Sequence, residues 1–411
     1  MAMDHVTGLQ CVVCGATYDA DEAIYTCPKH EGVTGVLEVT YDYDVVDDRF
    51  EADLDGTIPS MWKYRAFLPI HDDATPVTLN EGGTELYDTP RLSEELGLRV
   101  RVKDDGRNPT GCLKDRATSI ATTKARHAGR EIVICASTGN AAASLAGYAA
   151  RAGLEGRIFV PESAPEGKLA QPLVYGADVL AVRGSYDEAY DLTMAATDRY
   201  GWYNRNAAIN PFQIEGKRTV GHELAEQTRG DVPDWVVFSM GDGCTIAGAW
   251  KGFREFYELG YVSETPSMLG VQSTGASAIH DAFKEHDDVD EIAETVADSI
   301  AVGRPRNTIK ACRALEESGG DSVLVEDEAI LEAEALLGRT EGIYAEPAGA
   351  APIAGVRKAL EEGIVSTTDS VVVVTTGYGL KDTESAKRAG GSVVSIPPEI
   401  DAVSDRYAPG R

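Results

Sequence analysis

The chain has 411 residues, more than one hydrophobic core usually organises, so two or three domains are expected. Its 67 acidic against 38 basic residues leave a formal net charge of −29, which excludes the positive footprint of a nucleic-acid binder. Apolar residues make up 43% of the chain, enough for a globular enzyme, yet no run of about eighteen of them exists to span a membrane.

At the start of the chain, Met1-Ala2-Met3-Asp4-His5 shows neither the basic nor the apolar region of a secretory signal, so a cytoplasmic location is expected. Residues 9 to 32 hold Cys11-x2-Cys14, twelve intervening residues, then Cys27-x2-His30. Two short ligand pairs at this separation suit a tetrahedral zinc site with all four positions filled by protein, hence a structural one. Strand-like alternation over Thr34–Tyr43 closes this module, placed at 1–45, and an acidic linker from Asp44 to Asp55 leads on. Residues 46–87 read as linker and the start of a large domain. The remaining cysteines, Cys112, Cys135, Cys244 and Cys312, are scattered, as small core or site residues of a reducing compartment are.

From residue 86 short apolar runs alternate with helical stretches. Strands are expected over Leu98–Lys103, Glu131–Ala136, Gly156–Pro161, Asp178–Arg183, Trp235–Ser239, Met268–Gln272 and Ser370–Thr375. Helices are expected over Asp115–Ala128, Ala141–Ala152, Lys168–Tyr175, Tyr186–Tyr200, Thr245–Leu259 and Ala276–Glu285. This order implies a mainly parallel sheet covered on both faces, with a smaller α/β domain over 88–205, a larger one over 206–400 and a tail at 401–411. Ligands of such sheets lie beyond the carboxyl ends of strands, where Ser137, Gly241 and Thr376 fall. The acidic residues are spread in pairs such as Asp287-Asp288 and Glu361-Glu362, as a solvated shell. Such a shell repels itself at low salt and is screened at high salt, which points to a high-salt organism.

Two strings carry chemistry. Lys114 ends Asn108-Pro109-Thr110-Gly111-Cys112-Leu113-Lys114-Asp115-Arg116, and Ser137-Thr138-Gly139-Asn140 follows on a strand–turn–helix. A Schiff-base enzyme needs an amine held to attack an aldehyde, and a second loop offering hydroxyls and N–H groups to a carboxylate. A third string, Gly241-Asp242-Gly243-Cys244-Thr245, follows a buried strand and opens a helix, as a phosphate cradle does. Each string alone is common.

Together they resemble the fold-type II pyridoxal-phosphate (PLP) enzymes, and within them the threonine synthase family. That family's lysine motif usually reads Asn-Pro-Thr-Gly-Ser-Phe-Lys-Asp-Arg; here Cys112 and Leu113 replace Ser-Phe. Trp62-Lys63-Tyr64-Arg65, Leu68-Pro69-Ile70, Glu81-Gly82-Gly83-Thr84, Glu346-Pro347-Ala348-Gly349-Ala350 and Thr376-Gly377-Tyr378-Gly379-Leu380-Lys381-Asp382 resemble further family segments, in family order. Many relatives also carry an N-terminal knuckle.

The resemblance implies two parallel-sheet α/β domains with PLP in the cleft, behind a small zinc module, and a homodimer. It gives Lys114 the bond to the cofactor aldehyde and the proton shuttle, Asn140 the ring 3′-oxygen, residues 241–245 the cofactor phosphate and Thr376 the pyridine nitrogen. Ser137, Thr138 and Gly139 receive the substrate carboxylate, Thr84 and Lys63 line the substrate site, and Glu346 lies either near the cofactor or on the surface. Asp242 stands where relatives often have Asn, so its side chain should turn away from the phosphate. Asp115 is expected as a helix cap and Arg116 as its partner; His127, His222 and His280 are expected to be structural. The implied reaction converts O-phospho-L-homoserine and water to L-threonine and phosphate. The substrate phosphate needs cations, yet Gln213 stands where the family commonly has arginine; Lys217, Arg218, Lys63 and Arg65 are the nearby substitutes. A threonine or serine dehydratase, a β-replacement synthase using phosphoserine, and a non-catalytic binding protein are the alternatives. The knuckle and Trp62–Ile70 favour the synthase, and the intact Lys114 and Asn140 disfavour decay.

Overall fold

The computed structural model describes residues 3–22, 25–30, 34–50, 59–164, 166–285 and 293–407. Valines 371–374 form an unbroken buried run, the mark of a strand covered on both faces. They belong to β13 (Ser370–Thr375), at the middle of a six-stranded sheet. The sheet's other strands are β4 (Leu86–Asp88), β5 (Arg99–Asp104), β10 (Trp235–Ser239), β11 (Ser267–Ser273) and β12 (Asp321–Val325). The order is β12-β11-β10-β13-β5-β4, parallel except for β4 at the edge. A second, wholly parallel sheet holds β6 (Ile132–Ala136), β7 (Glu155–Pro161), β8 (Asp178–Val182) and β9 (Tyr203–Asn204), in the order β8-β7-β6-β9. At the N-terminus, β1 (Val6–Cys11), β2 (Thr17–Tyr18) and β3 (Leu37–Tyr41) form a small antiparallel sheet.

From residue 86 on, the expected strands and helices are present within one or two residues of their anticipated ends, while the strand expected over Thr34–Tyr43 is shorter, Leu37–Tyr41. Three expectations need revision. The smaller domain was expected from residue 88, but β5 pairs with β13 and β4 with β5, so the four-stranded sheet begins only at β6. Val100 and Val102 fill the core beside Val371 and Val373, and an alternating βα order does not say which sheet a strand joins. The acidic stretch after Tyr43 is helical over Tyr43–Arg49, because Asp42 caps it by accepting from the N–H groups of Asp44 and Val45. The rest of that expected linker, from 51, lies outside the described residues. The tail at 401–411 contains most of a helix, Ile400–Tyr407. The helices Thr308–Glu317, Asp327–Glu341 and Pro347–Glu361 and strand β12 complete the larger half and were not anticipated.

The N-terminal sheet is fastened to the larger half. The buried Lys310 and Lys251 amines donate to the β3 carbonyls of Leu37 (2.7 Å) and Val39 (2.9 Å), and the Tyr41 hydroxyl donates to Glu215 (2.7 Å). Among the described residues no helix is long and apolar enough to cross a membrane.

The helix Lys114–His127 packs on the short helix Phe212–Lys217 across Gly216, where a Cβ would lie 2.1 Å from the carbonyl oxygen of Arg116. Only glycine permits that approach. Gly216→Ala is expected to destabilise the fold by about 1–3 kcal/mol through overpacking, read as a lower urea midpoint; an unchanged midpoint would show that the two helices separate freely.

Candidate active site

The carboxyl ends of β6, β10 and β13 converge on a cavity of about 800 Å³. Lys114 enters it from the first turn of its helix, half-buried, its amine without a hydrogen-bond or ion-pair partner among the described residues. The preceding turn is locked to the end of β13. Leu113 N–H donates to the Thr376 carbonyl (2.9 Å), Tyr378 N–H donates to that of Gly111 (3.0 Å), and Cys112 bridges to Gly377. This short antiparallel pairing fixes Lys114 beside Thr376.

The structure brings together Lys114, Ser137, Thr138, Gly139, Asn140, residues 241–245 and Thr376 on one cavity wall or another. The helix Asn140–Ala152 starts without a side-chain cap, so its first-turn N–H groups are open to an anion. Some of the carboxylate donors expected just before it are taken: Ser137 N–H bonds the Phe159 carbonyl (3.2 Å), and the Ser137 hydroxyl accepts from Gly139 N–H (3.2 Å). Asn140 is almost fully buried and donates to Glu346 (2.7 Å) and to Ser299 (3.1 Å). Glu346 is therefore a buried site residue rather than a surface one, and burial raises the pKa of its carboxyl.

At the opposite wall Gly243, with φ of +80°, begins the helix Cys244–Glu258, again without a side-chain cap. Asp242 also lines the cavity; its carboxylate accepts from the Arg306 backbone N–H (3.3 Å) and pairs with that guanidinium at 3.6 Å.

Two expected substrate contacts lie elsewhere. Thr84 is absent from the cavity lining; it is buried, and its hydroxyl donates to Asp105 at 2.6 Å. Lys63 pairs with Glu226. Of the other expected cations Lys217 lines the cavity, whereas Arg218 and Arg65 are engaged elsewhere. Arg218 is sealed between Glu215 and Glu255, and Arg65 donates to the carbonyls of His71, Asp72 and Ala74. Asp115 does not cap its helix but accepts from the Thr110 N–H (2.7 Å) and hydroxyl (2.5 Å). Arg116 pairs with Asp105 and Glu223 instead of Asp115. Cys112 sits behind Asn140, its thiol pushed up to about 11 by burial. Arg205, Asp298, Ser299, Arg304 and Arg306 also line the cavity and were not anticipated. Asp298 and Ser299 come from a single 3-10 turn, Asp298–Ile300, that no strand–turn–helix pattern announces, and Arg205 follows β9 directly.

In the N-terminal module the ligand atoms of Cys11, Cys14, Cys27 and His30 lie within 4.8 Å of one another. Cys14 and Cys27 Sγ are 3.9 Å apart, close to the edge of about 3.8 Å that Zn–S bonds of about 2.3 Å give a tetrahedron. His30 Nε2 is buried with no hydrogen-bond partner among the described residues.

Residues 77–377 match the model of the family described as pyridoxal-phosphate dependent enzyme. The threonine synthase of Methanocaldococcus jannaschii is 42% identical over 400 residues, covering 96% of this chain and 98% of that protein. The threonine synthase of Mycobacterium bovis is 38% identical over 345 residues, 84% of this chain and 94% of that protein. Among solved structures, diaminopropionate ammonia lyase from Escherichia coli superposes with a TM-score of 0.66 at 19% identity, over 76% of this chain and 88% of that one. Threonine deaminase isoform 2 from Solanum lycopersicum gives 0.64 at 24% identity, over 74% of this chain and 81% of that one. These two likenesses speak for the fold. With a lysine unpaired among the described residues between two open helix N-termini, and similarity to these synthases over 84–96% of its length, the chain belongs to the fold-type II pyridoxal-phosphate dependent enzymes and, within them, to the threonine synthase family.

Proposed function

We propose that this chain converts O-phospho-L-homoserine and water to L-threonine and phosphate. The observation that carries the reading is the Lys114 amine, partnerless among the described residues, in the cavity that also holds the residue 241–245 turn and Asn140. That cavity fits PLP. Gly243 adopts a backbone that side chains rarely take, and a Cβ there would meet the Ala311 Cβ at 2.7 Å, so the turn stays bare and its N–H groups stay accessible. Residues 241–245 would hold the cofactor phosphate, Asn140 the ring oxygen and Thr376 the ring nitrogen. PLP, when bound, supplies the electron sink for the carbanion chemistry.

The chain's own residues then orient and move protons. Lys114, when neutral, takes a proton from the substrate Cα and returns one, and also serves Cβ, from which it differs in reach by one bond. The open N–H groups at the start of the Asn140 helix orient the substrate carboxylate. Glu346 and Ser299 hold the Asn140 side chain by taking both of its amide hydrogens, and one of these bonds would have to open for the amide to donate to the ring oxygen.

The Cys11, Cys14, Cys27, His30 set is read as a structural zinc site, with the orphaned His30 nitrogen as its support. A homodimer in the cytoplasm accords with the family reading and with the free cysteines.

The test is a substrate panel on PLP-loaded protein in molar KCl, the condition that the acidic shell suggests. Phosphate and threonine should form from phosphohomoserine, and Lys114→Ala should abolish both. Oxobutanoate from threonine, without phosphate release, would replace the synthase by a dehydratase. Gly243→Ala should weaken PLP binding by about tenfold or more, measured by titrating the bound-cofactor absorbance; unchanged affinity would move the phosphate away from this turn. Metal analysis should return one zinc per chain in wild type and none in Cys11→Ser, with a lower melting temperature.

A further inference from the structure

Burying a cation without a partner is expensive, so such groups mark places where an anion is received. The cavity has two. Arg205 is 1% exposed and forms no ion pair among the described residues; its Nε and Nη2 share one neutral acceptor, the Thr118 hydroxyl, at 3.1 and 3.0 Å. Lys217 is 3% exposed and has neither a hydrogen-bond nor an ion-pair partner among the described residues. Both side chains line the cavity that holds Lys114. The other cavity cation with a defined partner, Arg306, is already balanced by Asp242 and laid over the Tyr190 ring.

The local sequence explains the arrangement. Gln213 and Lys217 are four residues apart on the helix Phe212–Lys217, so they share a face. Gln213 does not reach the cavity; its amide donates to the carbonyls of Arg205 and Asn206 (the latter at 3.0 Å) and so holds the loop carrying Arg205. Lys217 packs its Cβ position against Gly248, one turn into the helix that residues 241–245 open. Burial, aided by the nearby Lys114 and Arg205 charges, lowers the Lys217 amine to about 8, as expected of a group lacking its anion.

We propose that Arg205 and Lys217 form a receptor for a phosphomonoester dianion, taking over the charge that Gln213 lacks. Two such groups enter this cavity on the reading above, the substrate's leaving group and the cofactor's phosphate, and the proposal rests on that reading only for their names. A guanidinium and an ammonium on one dianion would also stabilise the negative charge that develops as phosphate departs.

Calorimetric titration of inorganic phosphate into PLP-loaded protein tests this, using wild type, Lys217→Gln and Lys217→Arg. Loss of phosphate affinity by about tenfold in Lys217→Gln, with a matching rise in KM for phosphohomoserine and recovery in Lys217→Arg, supports the receptor and gives it to the substrate. Loss of PLP affinity instead, with phosphate binding unchanged, supports the receptor and gives it to the cofactor. If neither affinity changes in a Lys217→Gln protein that melts like wild type, the receptor is overturned. Should wild type bind phosphate through Lys217 yet release none from phosphohomoserine, the synthase reading falls and the receptor stands.

Discussion

Arg116 is a guanidinium shut away from solvent and gripped from two sides. Asp105 meets its Nε and Nη2 at 2.7 and 2.8 Å, and Glu223 meets Nη1 and Nη2 at 2.6 and 2.8 Å. Lys103, equally buried, closes the group by donating to Glu223 at 2.7 Å and to the Thr84 carbonyl at 2.7 Å. Two cations and two anions thus cancel in the interior, and Glu223 is held well below the usual carboxylate range by Arg116 and Lys103 despite its burial. A quartet of this kind adds little net stability, since desolvation offsets most of the attraction; its value is geometric, because losing one member strands a buried charge at about 3–5 kcal/mol. It joins β5, the helix of Lys114, the helix Thr219–Gln227 and the loop around Thr84. Lys114 is two residues from that anchor, so its amine inherits a fixed starting point.

This anchor also shows where reading a sequence stops. The strings at Ser137–Asn140, 241–245 and Thr376 stand out in the sequence because each follows a strand, and that of Lys114 because its turn carries Gly111, at φ +84°; the structure gathers them around one cavity. Thr84 and Arg116 are equally specific residue types in equally distinctive strings, yet each has a partner well away in the chain: Thr84 reaches 21 positions to Asp105 and Arg116 reaches 107 to Glu223. Nothing local distinguishes a threonine that faces substrate from one that faces a buried aspartate. The same limit explains β5, whose valines suit either sheet and whose placement is settled only by pairing with β13.

The catalytic side and the N-terminal side of the molecule are built on opposite treatments of charge. Around Arg116 and around Arg218, buried ions are matched one against another. In the cavity, Arg205 and Lys217 have no anionic partner among the described residues. The helix Thr308–Glu317 stands between these regimes, offering Lys310 to the β3 carbonyl of Leu37 and Ala311 to the underside of the Gly243 turn.

The lysine caps on β3 have a further effect. An edge strand with open carbonyls invites another chain to add a strand. Repulsion between highly acidic molecules would ordinarily discourage that, but concentrated salt shortens its range to a few ångströms. Two ammonium groups seated on the outward carbonyls, shielded within the protein, obstruct such pairing at any ionic strength. The ribbon edge thereby gains protection against fibre-like self-association that does not fade where the surface charge is screened.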